Sequence, residues 1–322
     1  LSIRASGAGV VAGDYLDALN DRLGAATAAV LPGLGEAVSV EARFRPSRPG
    51  RAGDLSSRVA LRLAGEAGMA AMDLADAIAD RFTADGGPGR PEAVAPGYLN
   101  LHLPAACWLR ETMRLLDGMP RARITAPVTM PPETDGPAHP LALLRRDVRR
   151  RVLDNLARLH GGAGRPVAVP VLPPGLTPLD LLGQPPEAGV DELRAAVADR
   201  GRHNPAFLVP YADARAASLL GGAAMPSGDG AAVFSANELA LMKQLAGWPR
   251  VLAGALVAGE PERLPVALLA LARTLLAMIG EGGPVRDPAA LTTTRHGLLR
   301  AFRYVVADAM MMLDMTATES AF

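Results

Sequence analysis

"DGPAHPLALLRRDVRRRVLDNLARLHG", residues 135–161, is the stretch on which the reading of the chain turns. It looks like a nucleotide-binding turn feeding a helix. The turn has one histidine, His139, where such a turn would use two, and five arginines follow closely: Arg145, Arg146, Arg149, Arg150 and Arg151. Leu144, Val148, Val152, Leu156 and Leu159 fall on one stripe at helical spacing, which predicts a helix over 141–159. Arg146, Arg149 and Arg150 lie on the opposite face. Three readings are open: a working site, a ruined one, or an amphipathic helix with a solvated basic face.

The flanks of this helix are rich in Pro, Gly and Arg. "VTMPPETDGPAHP" (128–140) and "VPVLPPGLTP" (169–178) read as extended or loop segments. Each proline removes a backbone donor and biases the residue before it away from helix.

Toward the N-terminus, "DYLDALNDRLGAATAAV" (14–30) has Leu16, Leu19, Leu23 and Ala26 at helical spacing, with Asp14 as a candidate N-cap. "VSVEARFR" (38–45) alternates like a strand. "GDLSSRVALRLAGEAG" (53–68) reads as a helix capped by Asp54 or Ser56, and "AAMDLADAIADRF" (70–82) as a second. "EAVAPGYLNLHL" (92–103) reads as two short strands around a Pro-Gly turn. This order predicts a small α+β domain.

Toward the C-terminus the pattern is helical: 237–247, 249–257, 263–280 and 294–313, punctuated by "GWP" and "GEGGPVRDP". Four helices on short loops predict an α-bundle, with 263–280 central because it is apolar nearly all round. "ADAMMMLDM" (307–315) at helical spacing reads as core filler.

Composition narrows the function classes. The chain has 322 residues and no net charge, so the basic footprint first expected of a nucleic-acid binder is missing. Its one cysteine, Cys107, excludes an internal disulfide. With no run of eighteen apolar residues and no signal-peptide pattern, the expectation is a soluble, cytoplasmic protein with no membrane partner. Of the 33 basic residues only Lys243 is lysine, so chemistry that needs a lysine elsewhere is ruled out. "GAGVVAG" (7–13) has the wrong spacing for a dinucleotide fingerprint. His102, His139, His160, His203 and His296 are scattered, so neither a metal nor a cofactor is expected. P-loop and Gly-x-Ser-x-Gly motifs are absent.

Three separated stretches resemble one family, the arginyl-tRNA synthetases. "GDLSSRVALRLA" (53–64), "LADAIADRF" (74–82) and "VAPGYLNLHL" (94–103) are similar, in this order, to the family's N-terminal additional domain, with Arg58 where asparagine is expected. "GVDELRAAVADRGRHNPAFLVPYADARAASLL" (189–220) resembles the passage leading out of the catalytic domain; Asn204, Pro205, Tyr211, Ala212, Ala214 and Arg215 match it. "ELALMKQLAGWPRVLAGALVAGEPERLPVALLALARTL" (238–275) resembles the helical anticodon-binding domain, with Pro249, Glu260 and Pro261 matching.

The resemblance also places the opening stretch. "ITAPVTMPPETDGPAHPLA" (124–142) falls where the family has its first ATP signature, a turn of two histidines and a glycine at a helix N-terminus. Gly136, Pro137 and His139 fit, but Leu141 stands for the glycine and Ala142 for the second histidine. Leu141 blocks the close approach that glycine allows. The lysine-bearing second signature is replaced by "AVPVLPPG" (168–175). Losing a cation that stabilises charge on a transferring phosphate typically costs orders of magnitude in rate. Only residues 160–188 separate the opening helix from "GVDELR", whereas a doubly wound domain needs several βα units of roughly thirty residues each.

The sequence therefore predicts a multi-domain α+β chain. It has an N-terminal α+β domain (1–117), a reduced Rossmann-like remnant (118–203) and a C-terminal helical anticodon-binding-like bundle (204–322). The resemblance implies a pseudoenzyme that binds tRNA, of the arginine type, without charging it. Candidate RNA contacts are Tyr211, Arg215, Arg295, Arg300, Arg303, Arg145, Arg146 and Arg149, with His139 the trace of a catalytic group. Two alternatives stand beside this: a protein-interaction or regulatory module derived from a synthetase, and a residual or split arginine–tRNA ligase. From Ala232 on, eight basic residues face eight acidic ones, which favours the protein partner.

Overall fold

A computed structural model describes residues 15–47, 52–117, 140–159, 172–173, 176–184, 188–198, 201, 203–222, 234–280 and 292–315. The chain divides into two compact units, Ala12–Arg110 and a second that begins at Glu111.

The first unit runs α1 (Tyr15–Val30), α2 (Gly35–Glu41), β1 (Arg45–Pro46), β2 (Leu55–Ser57), α3 (Val59–Ala67), α4 (Ala71–Ala84), β3 (Glu92–Val94) and β4 (Tyr98–Leu101). The strands form one antiparallel sheet in the order β1-β2-β4-β3. Leu23 of α1, Leu63 of α3, Ile78 and Phe82 of α4, and Leu55 and Leu99 of the sheet close the core. Phe44 meets Phe82 edge to face at 5.8 Å. Each such side chain contributes about 1.5–3 kcal/mol on burial.

Two local expectations are corrected here. Residues 38–45 are not a strand: 35–41 is α2, and pairing begins only at Arg45 opposite Ser56. The helix turns Val38 and then Ala42 inward and leaves Val40 in solvent. A strand would put 38, 40 and 42 on one face, whereas a helix keeps the i, i+4 pair together and turns Val40 away. The helix expected from residue 53 starts instead at Val59, because Leu55–Ser57 are taken as β2, a central strand. Leu55 and Ser57 face in and Ser56 is half-buried, so cross-strand pairing overrides the helical pattern. Asp54 is accordingly no helix cap: its Oδ2 accepts from the Leu103 amide at 2.9 Å. The hairpin at 92–103 forms as expected, and Gly97 at its turn has φ +134°.

α5 (Ala105–Arg114) spans the division between the units. The second unit then contains α6 (Pro140–Leu159), α7 (Pro178–Gly183), α8 (Val190–Ala198), α9 (Pro205–Gly222), α10 (Ala236–Ala246), α11 (Trp248–Ala258), α12 (Arg263–Ile279) and α13 (Thr293–Met312). The last four match the expected helices to within two residues. Ser235 and Thr292 cap α10 and α13 with their hydroxyls, and Gly247 with Pro249 separates α10 from α11.

α12 is central, against α7, α9, α10, α11 and α13, yet it keeps an outer stripe in solvent at Val266, Ala270 and Arg273. Met310 and Met312 are core as expected, and Met311 is exposed. Among the described residues every strand lies in 45–101, so those of 140–222 are helices and connections only.

Candidate nucleic-acid interface

His139 lies outside the described residues, as do Gly136 and Pro137. The helix behind them, α6, is described, and it is packed into the second unit against α7, α11 and α13. Val148, Val152, Leu153, Leu156 and Ala157 are buried.

The arginine cluster of α6 divides by partner. Arg149 donates to the Gly259 carbonyl at 3.2 Å and pairs with Glu262 at 3.1 Å, which completes the C-terminus of α11. Arg151 holds Asp314 at 2.5 Å, and Asn155 donates to the Met312 carbonyl at 2.9 Å, both at the C-terminus of α13. Arg145 is buried. Arg146 and Arg150 are exposed, Arg146 beside Asp147. Asp154 is buried on the same helix, and burial raises its carboxyl above the ordinary range despite Arg150, Arg158 and Arg151 nearby. A cleft of about 80 Å³ lies alongside, lined by Val148, Val152, Leu172, Pro178 and Leu313 with the Arg151–Asp314 pair.

The remaining candidates sit on α9 and α13, which pack together. Tyr211 is 42% exposed and stacks on Phe207 one turn earlier, the rings 6.0 Å apart and 11° from parallel. Arg215 follows one turn later and is exposed. The three share one helix face at i, i+4, i+8. On α13, Arg300 and Arg303 are exposed.

Arg300 has no ion-pair partner among the described residues. Arg303 donates through Nε to Asp213 Oδ1 at 3.0 Å. Arg295 is turned inward: its Nε reaches Glu238 Oε1 at 2.6 Å, and the Glu238 side chain is 1% exposed. Burial alone would raise the Glu238 carboxyl. The bonds from Arg295 and from Ser235 reverse that, so it titrates below the ordinary carboxylate range.

Two residues near these candidates, Tyr304 and Asp213, escape a reading of the sequence. Tyr304 is 37% exposed and follows Arg303 directly. The i, i+3, i+4 set Arg300, Arg303 and Tyr304 is a basic-aromatic signal that could have marked it. Asp213 carries no such signal. Among the described residues, no group of three His, Cys, Asp or Glu is placed to hold a metal, and no helix is long and apolar enough to cross a membrane.

Comparison with known proteins finds matches at both ends of the chain. Residues 17–103 match the arginyl tRNA synthetase N terminal domain, and residues 209–320 match the DALR anticodon binding domain. The arginine–tRNA ligase of Wolbachia pipientis wMel is 32% identical over 134 residues, 39% of this chain and 24% of that one. That of Xanthobacter autotrophicus is 31% identical over 152 residues, 41% of this chain and 26% of that one. That of Ruegeria pomeroyi is 39% identical over 74 residues, 23% of this chain and 13% of that one. The matched stretches thus span about a quarter or less of the length of these relatives. In fold, the chain is similar to Thermus thermophilus arginyl-tRNA synthetase, with TM-score 0.56 at 12% identity, covering 95% of this chain and 100% of that chain. Both terminal modules thus resemble those of arginyl-tRNA synthetases and stand in the same order along the chain.

Proposed function

We propose that this protein binds tRNA, of the arginine type, without aminoacylating it. The observation that carries this reading is what stands between the two matched domains. The helix behind the altered first signature is committed to the second unit by its buried face and by Arg149, Arg151 and Asn155. Among the described residues it is followed, before α9, only by two helices of 6 and 9 residues. Among the described residues, the cleft beside it holds about 80 Å³, whereas small-molecule sites usually need about 300–1,000 Å³. Leu141 and Ala142 occupy the start of α6, where glycine and histidine would serve phosphate.

Binding would use the N-terminal domain on the outer corner of the tRNA and the α9/α13 face on the anticodon stem-loop. Stacking on Tyr211 and phosphate contacts from Arg215 and Arg300 would supply affinity. RNA loops are held in this way, by shape, stacking and backbone contact.

Two measurements on the purified chain decide it. Filter binding with total tRNA at low and moderate salt should give a salt-steep complex enriched in arginine tRNA. ATP–pyrophosphate exchange with arginine and tRNA should stay at background. Exchange above background restores the ligase reading. Failure to bind any tRNA leaves the protein-interaction reading, which draws support from the pairing of Arg295, Arg303 and Arg149 with carboxylates.

A further inference from the structure

Asp213 presents a puzzle on a surface meant for RNA. It lies on α9 with its side chain 18% exposed, beside Arg303 of α13 at 44%. A carboxylate there repels phosphate, and its pairing with Arg303 cancels a charge that would otherwise attract it. The geometry offers a compensating use. Only Nε of Arg303 is engaged, at 3.0 Å from Asp213 Oδ1. The two terminal guanidinium nitrogens have no hydrogen-bond partner among the described residues. Held through Nε, the planar group keeps one orientation and leaves its Nη1–Nη2 edge as a two-pronged donor.

A paired donor edge of that kind fits two adjacent acceptors. Guanine offers them at O6 and N7, the pair that arginine most often takes; adenine offers one acceptor and one donor, uracil has a donor between its two acceptors, and cytosine, with N3 and O2, is the competing base. In a single-stranded loop this edge is open to a side chain.

We propose that Asp213 is a positioning residue that converts Arg303 from a phosphate contact into a reader of an unpaired guanine in an RNA loop. The proposal rests on the tRNA-binding reading and adds to it a base and a mechanism of selection. Arg300, one turn away and unpaired among the described residues, is left as the phosphate contact. Tyr304 supplies an exposed ring on the same helix face.

The test uses the full chain and fluorescent RNA stem-loops with seven-nucleotide uridine loops, a single guanine or, for comparison, a single cytosine being placed at each loop position in turn. The wild type should prefer guanine at one position by roughly ten- to a hundredfold. That preference should vanish when 7-deazaguanine removes N7. Asp213→Ala frees Arg303 to meet phosphate and should steepen the salt dependence by a slope change of about 0.7, whereas in Asp213→Asn Arg303 stays on the base and the slope should change less. Only Asp213→Ala should lose the guanine preference, because the asparagine oxygen still accepts from Nε. Arg303→Lys should lose the preference with its charge intact. Circular dichroism and thermal melting confirm that each variant is folded.

Retention of the preference in Asp213→Ala, equal binding of 7-deazaguanine, or RNA binding with no guanine preference at all overturns this proposal alone. Absence of binding to every stem-loop and to tRNA overturns the tRNA-binding reading and this proposal with it.

Discussion

Replacing Leu156 by alanine tests whether α6 is part of the second unit's core, although it lies outside the residues that match the anticodon-binding domain. Leu156 is completely buried, on a helix whose neighbours are α7, α11 and α13. Deleting a buried leucine to alanine costs about 2–5 kcal/mol, the transfer loss plus the cavity left behind. Urea unfolding of a unit this size has a slope near 3 kcal/mol per molar, so the midpoint should fall by about 1 M. Each unit contains one tryptophan, Trp108 or Trp248, and Trp248 is fully buried with its Nε1–H on Asp308 Oδ2 at 3.0 Å. In a Trp108→Phe background, Trp248 fluorescence therefore reports the second unit alone. Leu143→Ala, on the same helix but 37% exposed, is the control and should shift by no more than about 0.5 kcal/mol. If Leu156→Ala leaves the Trp248 transition where it was, α6 is not packed as described, and the proposed non-catalytic role of this helix is refuted with it.

Other consequences follow from single observations. Gly97→Ala should destabilise the first unit by more than about 1 kcal/mol in thermal melting, since φ is +134° and an added Cβ would meet Ala71 Cβ at 2.7 Å. Glu238 is a carboxyl whose folded pKa is depressed, so its contribution is present above the ordinary glutamate pKa of about 4.3 and is lost as pH falls through the folded value. Acid titrations of stability for wild type and Glu238→Gln should therefore converge below about pH 4.3, the wild type being the more stable above it. Tyr211→Ala should weaken tRNA binding by about ten- to a hundredfold, with helix content unchanged, because stacking on an exposed ring is worth about 1–3 kcal/mol per base. Filter binding on a folded variant with undiminished affinity would remove Tyr211 from the interface.

The sequence states the four C-terminal helices plainly, for physical reasons. Apolar spacing at 3.6 residues runs uninterrupted, Ser235 and Thr292 stand at the caps, and the "GWP" break supplies the turn between α10 and α11. The first unit is harder to read because its strands are two to four residues long, too short for a period to register. Val38 and Val40 imitate alternation by chance, and the helical pattern after Gly53 hides the strand that precedes it.

At the candidate surface the residue types are legible but the pairings are not. The partners of Arg295 and Arg303 lie 57 and 90 positions away, and no local pattern announces Glu238 or Asp213. Charge counting therefore gives a neutral bundle without revealing which cations are spent internally.

That division of charge accounts for why the "RRDVRRR" run of α6 persists on the proposed reading. A helix C-terminus carries unpaired carbonyls and about half a negative charge, and a cation placed there typically contributes about 0.3–1 kcal/mol. Arg149 serves the end of α11. Arg151 and Asn155 serve the end of α13, where Asp314 adds a full negative charge at φ +53°. These tasks need long basic side chains at i and i+2 and an amide donor at i+6 of one helix, and make no demand on its first turn. Glycine at 141 and histidine at 142 are required only if a nucleotide is to approach the N-terminus of α6. Leucine and alanine are good helix formers at those positions. A helix kept for its far end is free to lose its near one, and that is the pattern of substitution in residues 135–161.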